Sequence, residues 1–343
     1  MGGKVAGEAE GLEVSEEAPR PSPQPSPLPG LKLFTGTSNP ELAKKVAENL
    51  GIRLGKRMLT RFADGENRVM IEESARGMDI FILQPTCAPA NETIMELAIM
   101  LDAFRRASAR RITVVVPYFG YARQDKKIKP REPITARLMA DFLQLAGANR
   151  VVALDLHADQ IQGFFSVPVD HLYGGPILAN YFISKGFRDD KDVVVVSPDS
   201  GGVTRANALA ERLGCSFVVI AKRRPAPNQV EVVEIVGDFV GKRCVMIDDM
   251  IDTGGSIVAG AQAHMDRGAR EVIVCCSHAI FSKDAPTKLQ ESCISQVVVL
   301  DTIPLDGKEF PKLKVLSCAP LLADAIRRIH HNESVSELFE NWR

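Results

Sequence analysis

Short, wholly apolar runs recur along this chain of 343 residues, and amphipathic segments separate them. Runs such as ITVVVPY at 112–118 and VVVV at 193–196 carry no polar alternation, which is typical of parallel strands buried on both faces. The segments between the runs have helix punctuation: Asn39 and Pro40 provide an N-cap and a first-turn proline, and Gly51 provides a stop. Because this pattern begins again after Pro176, the sequence predicts two tandem α/β domains, each a mostly parallel sheet flanked by helices.

Composition excludes several classes of protein. Hydrophobic residues make up 45% of the chain and charged residues 25%, and the formal net charge of -1 favours neither nucleic acid nor an anionic membrane as a partner. The seven cysteines lack CxxC spacing, so we expect no disulfide framework and no zinc site. No apolar run approaches the roughly 18 residues of a membrane span. These features predict a soluble protein of the cytoplasm.

Residues 1–30 differ from the rest, since they begin acidic and end with proline at nearly every second position. Such a composition buries little apolar surface, so we expect a disordered tail. Plastid targeting is an alternative, but transit peptides are rich in Arg and poor in acidic residues. Five glutamates argue against that alternative: Glu8, Glu10, Glu13, Glu16 and Glu17.

The two predicted domains cover residues 31–173 and 174–343. Three segments share a similar entry into a strand: SARRITVVVPYF at 108–119, GANRVVALDLHA at 147–158 and GAREVIVCCSHA at 268–279. Either an internal duplication or common helix-to-strand turn chemistry would produce this similarity, and both explanations stay open.

The segment VMIDDMIDTGGS, at 245–256, places three carboxylates beside a glycine-containing turn. Backbone N–H groups at the start of the following helix favour a phosphate, and glycine lets the backbone approach it closely. Asp248 and Asp249 follow a buried strand, where they can accept hydrogen bonds from sugar hydroxyls or hold a divalent cation. A bare DTGG is more often an ordinary capped turn, but the two preceding carboxylates favour a sugar phosphate.

Four further loops follow predicted strands, where ligands of open parallel sheets bind. The loop GYARQDKKIKPREPI, at 120–134, carries five basic side chains that can neutralise a triphosphate, although many such runs are only solvated. His157 and Asp199 together would suit Mg²⁺, whereas taken singly they are typical of a structural histidine and a helix cap. Lys222 and Arg224 lie where positive charge would assist diphosphoryl transfer, but surface lysines are mostly idle.

DDMIDTGGS resembles the phosphoribosyl-diphosphate binding loop of the type I phosphoribosyltransferase fold. Salvage transferases, regulators that kept the loop and ribose-phosphate diphosphokinases all share that loop. The string at 120–134 is similar to the ATP loop of ribose-phosphate diphosphokinases, which simple transferases lack. This resemblance, to the class I type of the family, extends from Leu31 to the C-terminus. It implies two type I phosphoribosyltransferase-like domains that convert ATP and ribose 5-phosphate into phosphoribosyl diphosphate and AMP.

The resemblance also implies roles for individual residues, Mg²⁺ as cofactor, and a homohexamer built as a trimer of dimers. The residues that would bind ATP are Arg123, Gln124 and Asp125, together with Phe62, Asp64 and Glu66 from a neighbouring subunit. The residues that would bind ribose 5-phosphate are Asp248, Asp249, Asp252, Thr253, Gly254, Gly255 and Ser256. His157 and Asp199 would hold the metal, and Lys222 and Arg224 would be catalytic. Regulation by ADP and phosphate would involve Ser74, Arg76, Arg131, Ser334 and Ser336, although NESVSELF also reads as a plain capped helix.

Two alternatives share parts of this pattern. A purine or pyrimidine phosphoribosyltransferase would need only one such domain and leaves the basic loop unexplained. A non-catalytic regulatory relative would lose catalytic groups or acquire loop insertions, neither of which is found at His157, Asp199, Lys222 or Arg224. GDFVGKR, at 237–243, is too short between its glycines for a Walker A loop.

Overall fold

A computed structural model describes residues 28–199, 201–223, 232–339 and 342. The strands are β1 (Leu31–Thr35), β2 (Arg57–Arg61), β3 (Asn67–Ile71), β4 (Asp79–Leu83), β5 (Arg111–Val116), β6 (Arg150–Leu154), β7 (Val169–Leu172), β8 (Val193–Ser197), β9 (Ser216–Arg223), β10 (Val232–Val236), β11 (Arg243–Ile251), β12 (Glu271–Ala279), β13 (Gln296–Leu300) and β14 (Leu313–Leu316). The helices are α1 (Pro40–Leu50), α2 (Ala90–Arg106), α3 (Thr135–Ala146), α4 (Gly175–Ser184), α5 (Val203–Leu213), α6 (Gly255–Met265), α7 (Ala285–Glu291) and α8 (Ala319–His331).

The first half forms a five-stranded sheet in the order β1-β4-β5-β6-β7, and every neighbouring pair is parallel. All five residues of β4 are buried, as expected for an apolar run covered on both faces. The carboxyl ends of parallel strands meet at one edge, so the segments that follow β4, β5 and β6 lie together there.

Helix α1 shows how the local sequence sets the helix ends. Pro40 is its first residue, and the Asn39 side chain accepts a hydrogen bond from the Leu42 N–H at 3.2 Å. Gly51 ends the helix with φ 67°, a left-handed conformation that glycine adopts without steric cost. The predicted start and stop are both confirmed.

Strands β2 and β3 form a separate antiparallel hairpin, whose turn contains Phe62, Asp64 and Glu66. The Phe62 N–H donates to the Glu66 carbonyl at 2.9 Å, and the Asp64 carboxylate accepts from the Glu66 N–H at 3.1 Å. The Phe62 ring remains 51% exposed. The hairpin therefore presents a large apolar side chain to solvent in the single chain.

The second half forms a seven-stranded sheet in the order β10-β9-β8-β11-β12-β13-β14. Its neighbours are parallel except for β9 and β10, which are antiparallel. β11 lies between β8 and β12, near the middle of the sheet. The predicted parallel sheets with flanking helices are thus found in both halves.

The two halves are joined by packing and by polar contacts. Helix α8, at the end of the chain, packs against α1 of the first half, and one apolar cluster contains residues of both sheets. The buried carboxylate of Asp79 pairs with Arg111 at 2.5 Å and with the His330 ring at 2.9 Å. The end of the chain therefore helps to complete the first half.

The predicted boundary between 173 and 174 falls between β7 and α4, and it stays a prediction. Most of the predicted tail lies outside the described residues, but its last three residues are described. Leu28 is buried, and the Gly30 carbonyl accepts a hydrogen bond from the Asp79 N–H at 2.8 Å. Within the described ranges, each helix is too short or too polar to cross a membrane.

Candidate active site

The end of β11 carries the two adjacent carboxylates predicted for ribose. Asp249 is buried, Asp248 is half-buried, and the Asp249 N–H donates to the Asp248 carboxylate at 2.8 Å. The Arg205 guanidinium, on α5, lies 3.6 Å from Asp248. These contacts hold two carboxyl groups side by side at the sheet edge, with the Arg205 cation close by.

The adjacent carboxylates have opposite pKa shifts. Burial, followed by the charge of Asp249, raises the pKa of Asp248 to about 7. Burial also opposes ionisation of Asp249, but the hydrogen bond with His157 and the charge of Arg205 outweigh it and lower the pKa of Asp249. Near neutral pH, the pair therefore carries less than its full double charge, which reduces their repulsion.

The loop after β11 has the geometry of a phosphate site. Gly254 precedes α6 with φ 75°, and no side chain caps the first turn of this helix. The N–H groups of that turn therefore point out of the helix end, where an anion is favoured. Thr253, Gly255 and Ser256 are exposed, whereas Gly254 is buried.

The basic loop of the first half meets this phosphate loop. Arg123 Nη1 lies 2.5 Å from Asp252 Oδ2, although 129 residues separate the two in sequence. Burial opposes ionisation of Asp252, but the neighbouring Ser282 and Arg123 hold its pKa below the usual range. The second oxygen, Oδ1, is buried and has no hydrogen-bond partner in the described part of the chain. The structure therefore brings together the loops predicted for ATP and for the sugar phosphate.

The other two ATP-loop candidates are held by neighbouring polar groups. Gln124 is exposed, and its side-chain oxygen accepts a hydrogen bond from the Thr135 hydroxyl. Asp125 is buried and accepts a hydrogen bond from the Gln160 amide at 2.6 Å. Arg131 lies further along this loop, exposed and with φ 69°.

A cleft of about 450 Å³ opens beside Arg123 and Gln124. This volume is within the usual range for small-molecule sites. The first half contributes Thr86 and Tyr118 to its lining, and the second half contributes Ile280 and Lys308. The cleft therefore lies between the two halves, next to the contact of Arg123 with Asp252.

The two metal-ligand candidates occupy different local environments. His157 Nδ1 lies 2.7 Å from Asp249 Oδ2, and this hydrogen bond raises the pKa of His157. Asp199 is exposed, and its carboxylate accepts hydrogen bonds from the N–H groups of Gly201 at 2.8 Å and Gly202 at 2.9 Å, just before α5. The described contacts do not join Asp199 to His157, and the described residues contain no group of three or more metal-binding side chains.

Several predicted site residues are not brought to this edge by the described contacts. Lys222 pairs with Val233 in the β9–β10 ladder, but its side chain is outside the described part, and Arg224 lies entirely outside it. The hairpin turn with Phe62, Asp64 and Glu66 has no described contact with the basic loop. The regulatory candidates Ser74, Arg76, Ser334 and Ser336 are all exposed, and the two serine hydroxyls of the last pair lie 2.9 Å apart.

Sequence reasoning missed Arg205, which faces Asp248. A signal was present, because Arg205 is in the first turn of α5, where the helix dipole disfavours a cation. A basic residue at that position indicates a nearby anion. Gln160, which holds Asp125, carries no comparable signal, since glutamine is common on protein surfaces.

Comparisons with known proteins agree with this arrangement. Residues 31–147 match the family model described as the N-terminal domain of ribose phosphate pyrophosphokinase, and residues 221–340 match the phosphoribosyl synthetase-associated domain. A ribose-phosphate pyrophosphokinase of Fusobacterium nucleatum is 54% identical over 310 residues, which cover 90% of this chain and 98% of the relative. The corresponding protein of Caldanaerobacter subterraneus is 55% identical over 310 residues, with 90% and 98% covered.

Among solved structures, the phosphoribosylpyrophosphate synthetase of Mycobacterium smegmatis has a TM-score of 0.83 and 46% sequence identity. The match covers 88% of this chain and 99% of that one. It confirms the predicted fold class of two tandem phosphoribosyltransferase-like domains. A simple transferase of one such domain is excluded, since the relatives match both halves. The chain therefore belongs to the ribose-phosphate pyrophosphokinase family.

Proposed function

We propose that this enzyme transfers the β,γ-diphosphoryl group of ATP to the 1-hydroxyl of ribose 5-phosphate, giving phosphoribosyl diphosphate and AMP. The observation that carries the proposal is the contact of Arg123 with Asp252, which places the basic loop against the phosphate loop at 2.5 Å. Two anionic substrates bound to these loops would lie next to each other. Family membership, established by the curated relatives, supports the same reaction.

Ribose 5-phosphate would bind at the end of β11. Its phosphate would accept hydrogen bonds from the loop of Asp252, Thr253, Gly254, Gly255 and Ser256, whose N–H groups are at a helix start. Asp248 and Asp249, four and three residues before Asp252, would accept hydrogen bonds from the ring hydroxyls. The sugar would thus be held at both ends, which limits the directions in which its 1-hydroxyl can point.

ATP would bind on the basic loop, beside the cleft between the halves. Arg123 would exchange its partner Asp252 for phosphate oxygens, and Gln124 and Asp125 would contact the nucleotide. Phe62, Asp64 and Glu66 would reach the adenine of a neighbouring subunit, which is supported by the 51% exposure of the Phe62 ring. From membership of the family we propose a homohexamer built from three dimers, and analytical ultracentrifugation tests this assembly.

The donor set near the site fits Mg²⁺ that arrives with ATP. Mg²⁺ takes few protein ligands and completes its shell with phosphate oxygens and water. The buried Asp252 Oδ1 lacks a partner among the described residues, and His157 keeps Nε2 for a ligand because Nδ1 contacts Asp249. We propose His157 and Asp199 as metal-site residues. The bound ion would neutralise charge on the transferring phosphates.

The 1-hydroxyl of the ribose attacks the β-phosphorus, and AMP leaves. The chain contributes mainly position and positive charge, because phosphoryl transfer requires little covalent chemistry from the protein. We propose that Lys222 and Arg224 stabilise the negative charge that accumulates in the transition state. They follow each other closely at the end of β9 and just beyond it.

Exposed residues and free cysteines support proposals about regulation and location. Ser74, Arg76, Arg131, Ser334 and Ser336 are all exposed, as residues that bind ADP or phosphate between subunits must be before assembly. The seven cysteines are all free, which suits the reducing cytoplasm. We propose both a regulated enzyme and a cytoplasmic one.

The test is AMP formation from ATP with and without ribose 5-phosphate. We expect sugar-dependent AMP in the wild type and a large loss of kcat in Lys222→Ala. Lys44→Ala is the matched control, because Lys44 is an exposed lysine of α1 that pairs only locally with Glu41 at 2.5 Å. Equal AMP formation with and without the sugar would contradict the proposed reaction. A fully active Lys222→Ala variant would contradict only the role of that lysine.

A further inference from the structure

A cluster of buried polar side chains lies behind the candidate site and has no role in the proposed chemistry. We refer to it as the strand-end cluster: Asp155, His171, Ser277, His278 and Thr302, which are at most 6% exposed. Asp155 and His171 belong to the first half, whereas the other three residues belong to β12 and the turn after β13 in the second half. Buried polar groups are costly unless they are paired, so their partners show what they hold in place.

Asp155 is at the centre of this cluster. It follows β6 with φ 41°, a positive value that is uncommon for residues other than glycine and that aspartate tolerates better than most. Its Oδ2 accepts one hydrogen bond from the Ser277 hydroxyl, across the boundary between the halves, and another from the Gly174 N–H at 3.0 Å. A Cβ at Gly174 would fall 2.8 Å from the same oxygen, so only glycine allows this approach.

The backbone next to Asp155 is held as well. His278 Nε2 donates to the Asp155 carbonyl at 3.1 Å, and the Leu156 N–H donates to His171 Nε2 at 2.9 Å. The His278 ring is fixed in turn by the Thr302 hydroxyl, 3.0 Å from Nδ1. Side chains therefore hold the polar groups of Asp155 and Leu156, which immediately precede His157.

Through these contacts, the two proposed substrate regions are connected to each other. His157 comes directly after the held segment, and its ring reaches Asp249 on β11. β11 pairs with β12, the strand that carries Ser277 and His278. Asp155 thus fixes the backbone that precedes His157, and the His157 side chain contacts Asp249, a carboxylate proposed to bind the ribose.

We propose that Asp155 is a positioning residue, which locks the end of β6 to β12 through Ser277 and thereby keeps His157 against Asp249. This inference rests on the proposed function, in which His157 is on the nucleotide side and Asp249 is on the sugar side. Loss of the lock lets His157 move relative to the ribose. Because displacements of about 1 Å cost up to about 100-fold in rate, the effect appears in kcat more than in KM.

The variants are Ser277→Ala, which removes one donor, and Asp155→Asn, which keeps an oxygen for both donors. Asp155→Ala removes the lock completely, and Ser277→Ala covers the case in which that variant does not fold. The control is Ser295→Ala, since Ser295 also donates to a carboxylate, Glu271 at 2.8 Å, but at the opposite end of the same sheet. We expect kcat per folded enzyme to fall about 10- to 100-fold in Ser277→Ala. We expect KM to change little, and near-normal rates in Asp155→Asn and in the control.

A second readout needs no substrate. In full-length, metal-free protein with ¹⁵N-labelled histidine, the His157 Nδ1 resonance reports the hydrogen bond with Asp249. We expect that resonance to shift in Ser277→Ala and to stay unchanged in Ser295→Ala. This measurement separates failure of the inference from failure of the proposed function, because it holds even if the wild type forms no AMP. A Ser277→Ala protein with wild-type kcat and an unmoved His157 resonance would overturn the inference, even if its stability were lower.

Discussion

Gly254 offers the most direct test of the phosphate loop. Its φ of 75° is in the left-handed region, where a residue with a Cβ pays roughly 1–2 kcal/mol. A Cβ built at Gly254 would meet Leu289 at 3.7 Å and Ala285 at 3.8 Å, which are ordinary contacts. Gly254→Ala therefore adds backbone strain without a collision.

The loop around Gly254 is exposed at Thr253, Gly255 and Ser256, so it can relax in the free enzyme. The strain then returns when ribose 5-phosphate requires the original conformation. A cost of about 1–2 kcal/mol corresponds to a roughly 5- to 30-fold weaker binding of the sugar phosphate. We expect the KM for ribose 5-phosphate to rise by that factor, and the KM for ATP to stay within about twofold.

The matched control is Gly241→Ala. Gly241 has φ 72°, no atom within 4 Å of a built Cβ, and a position in the turn before β11, at the other end of that strand. We expect it to lower the free energy of unfolding by roughly 1–2 kcal/mol in urea denaturation, with both KM values unchanged. If Gly254→Ala bound ribose 5-phosphate as tightly as the wild type, the assignment of this loop to the phosphate would be refuted.

Three further predictions concern charged groups of the site. Arg123→Ala should cost about 1 kcal/mol of unfolding free energy in urea, since its pair with Asp252 is partly exposed to solvent, yet it should raise the KM for ATP; an unchanged KM would contradict the ATP role. The folded-state pKa of His157 is raised, so its stabilising contribution is full below the unfolded pKa of about 6.5 and disappears as pH rises through the folded pKa. In metal-free urea titrations, the stability advantage of the wild type over His157→Gln should therefore shrink between acidic and alkaline pH, and an advantage that grows would disprove the assignment. Arg205→Gln should raise the pKa of Asp248 further, because the charge of Arg205 lowers it. As the pH is lowered, the increase in the KM for ribose 5-phosphate should therefore begin at a higher pH than in the wild type, and an unshifted profile would argue against this pairing.

Much of the architecture follows from local sequence. The apolar runs form buried parallel strands because a strand covered on both faces has no place for alternating polar residues. Asn39, Pro40 and Gly51 set the ends of α1 through backbone hydrogen bonds and allowed dihedral angles, which need no distant partner. The phosphate loop is a prediction of the same local kind. Its glycine-containing turn alone is more often an ordinary capped turn, and the two preceding carboxylates, Asp248 and Asp249, favour a sugar phosphate.

Only the tertiary structure decides which side chains meet. Arg123 and Asp252 are 129 residues apart, and His157 and Asp249 are 92 apart, so no local rule relates their positions. Their contacts arise because two separate sheets turn their carboxyl edges toward each other. Arg205 joins them from α5, the helix that follows β8. The sequence determines the residue types and the positions of the loops. The pKa values, the ion pairs and the cleft depend on distances and burial, which exist only after the two halves have packed.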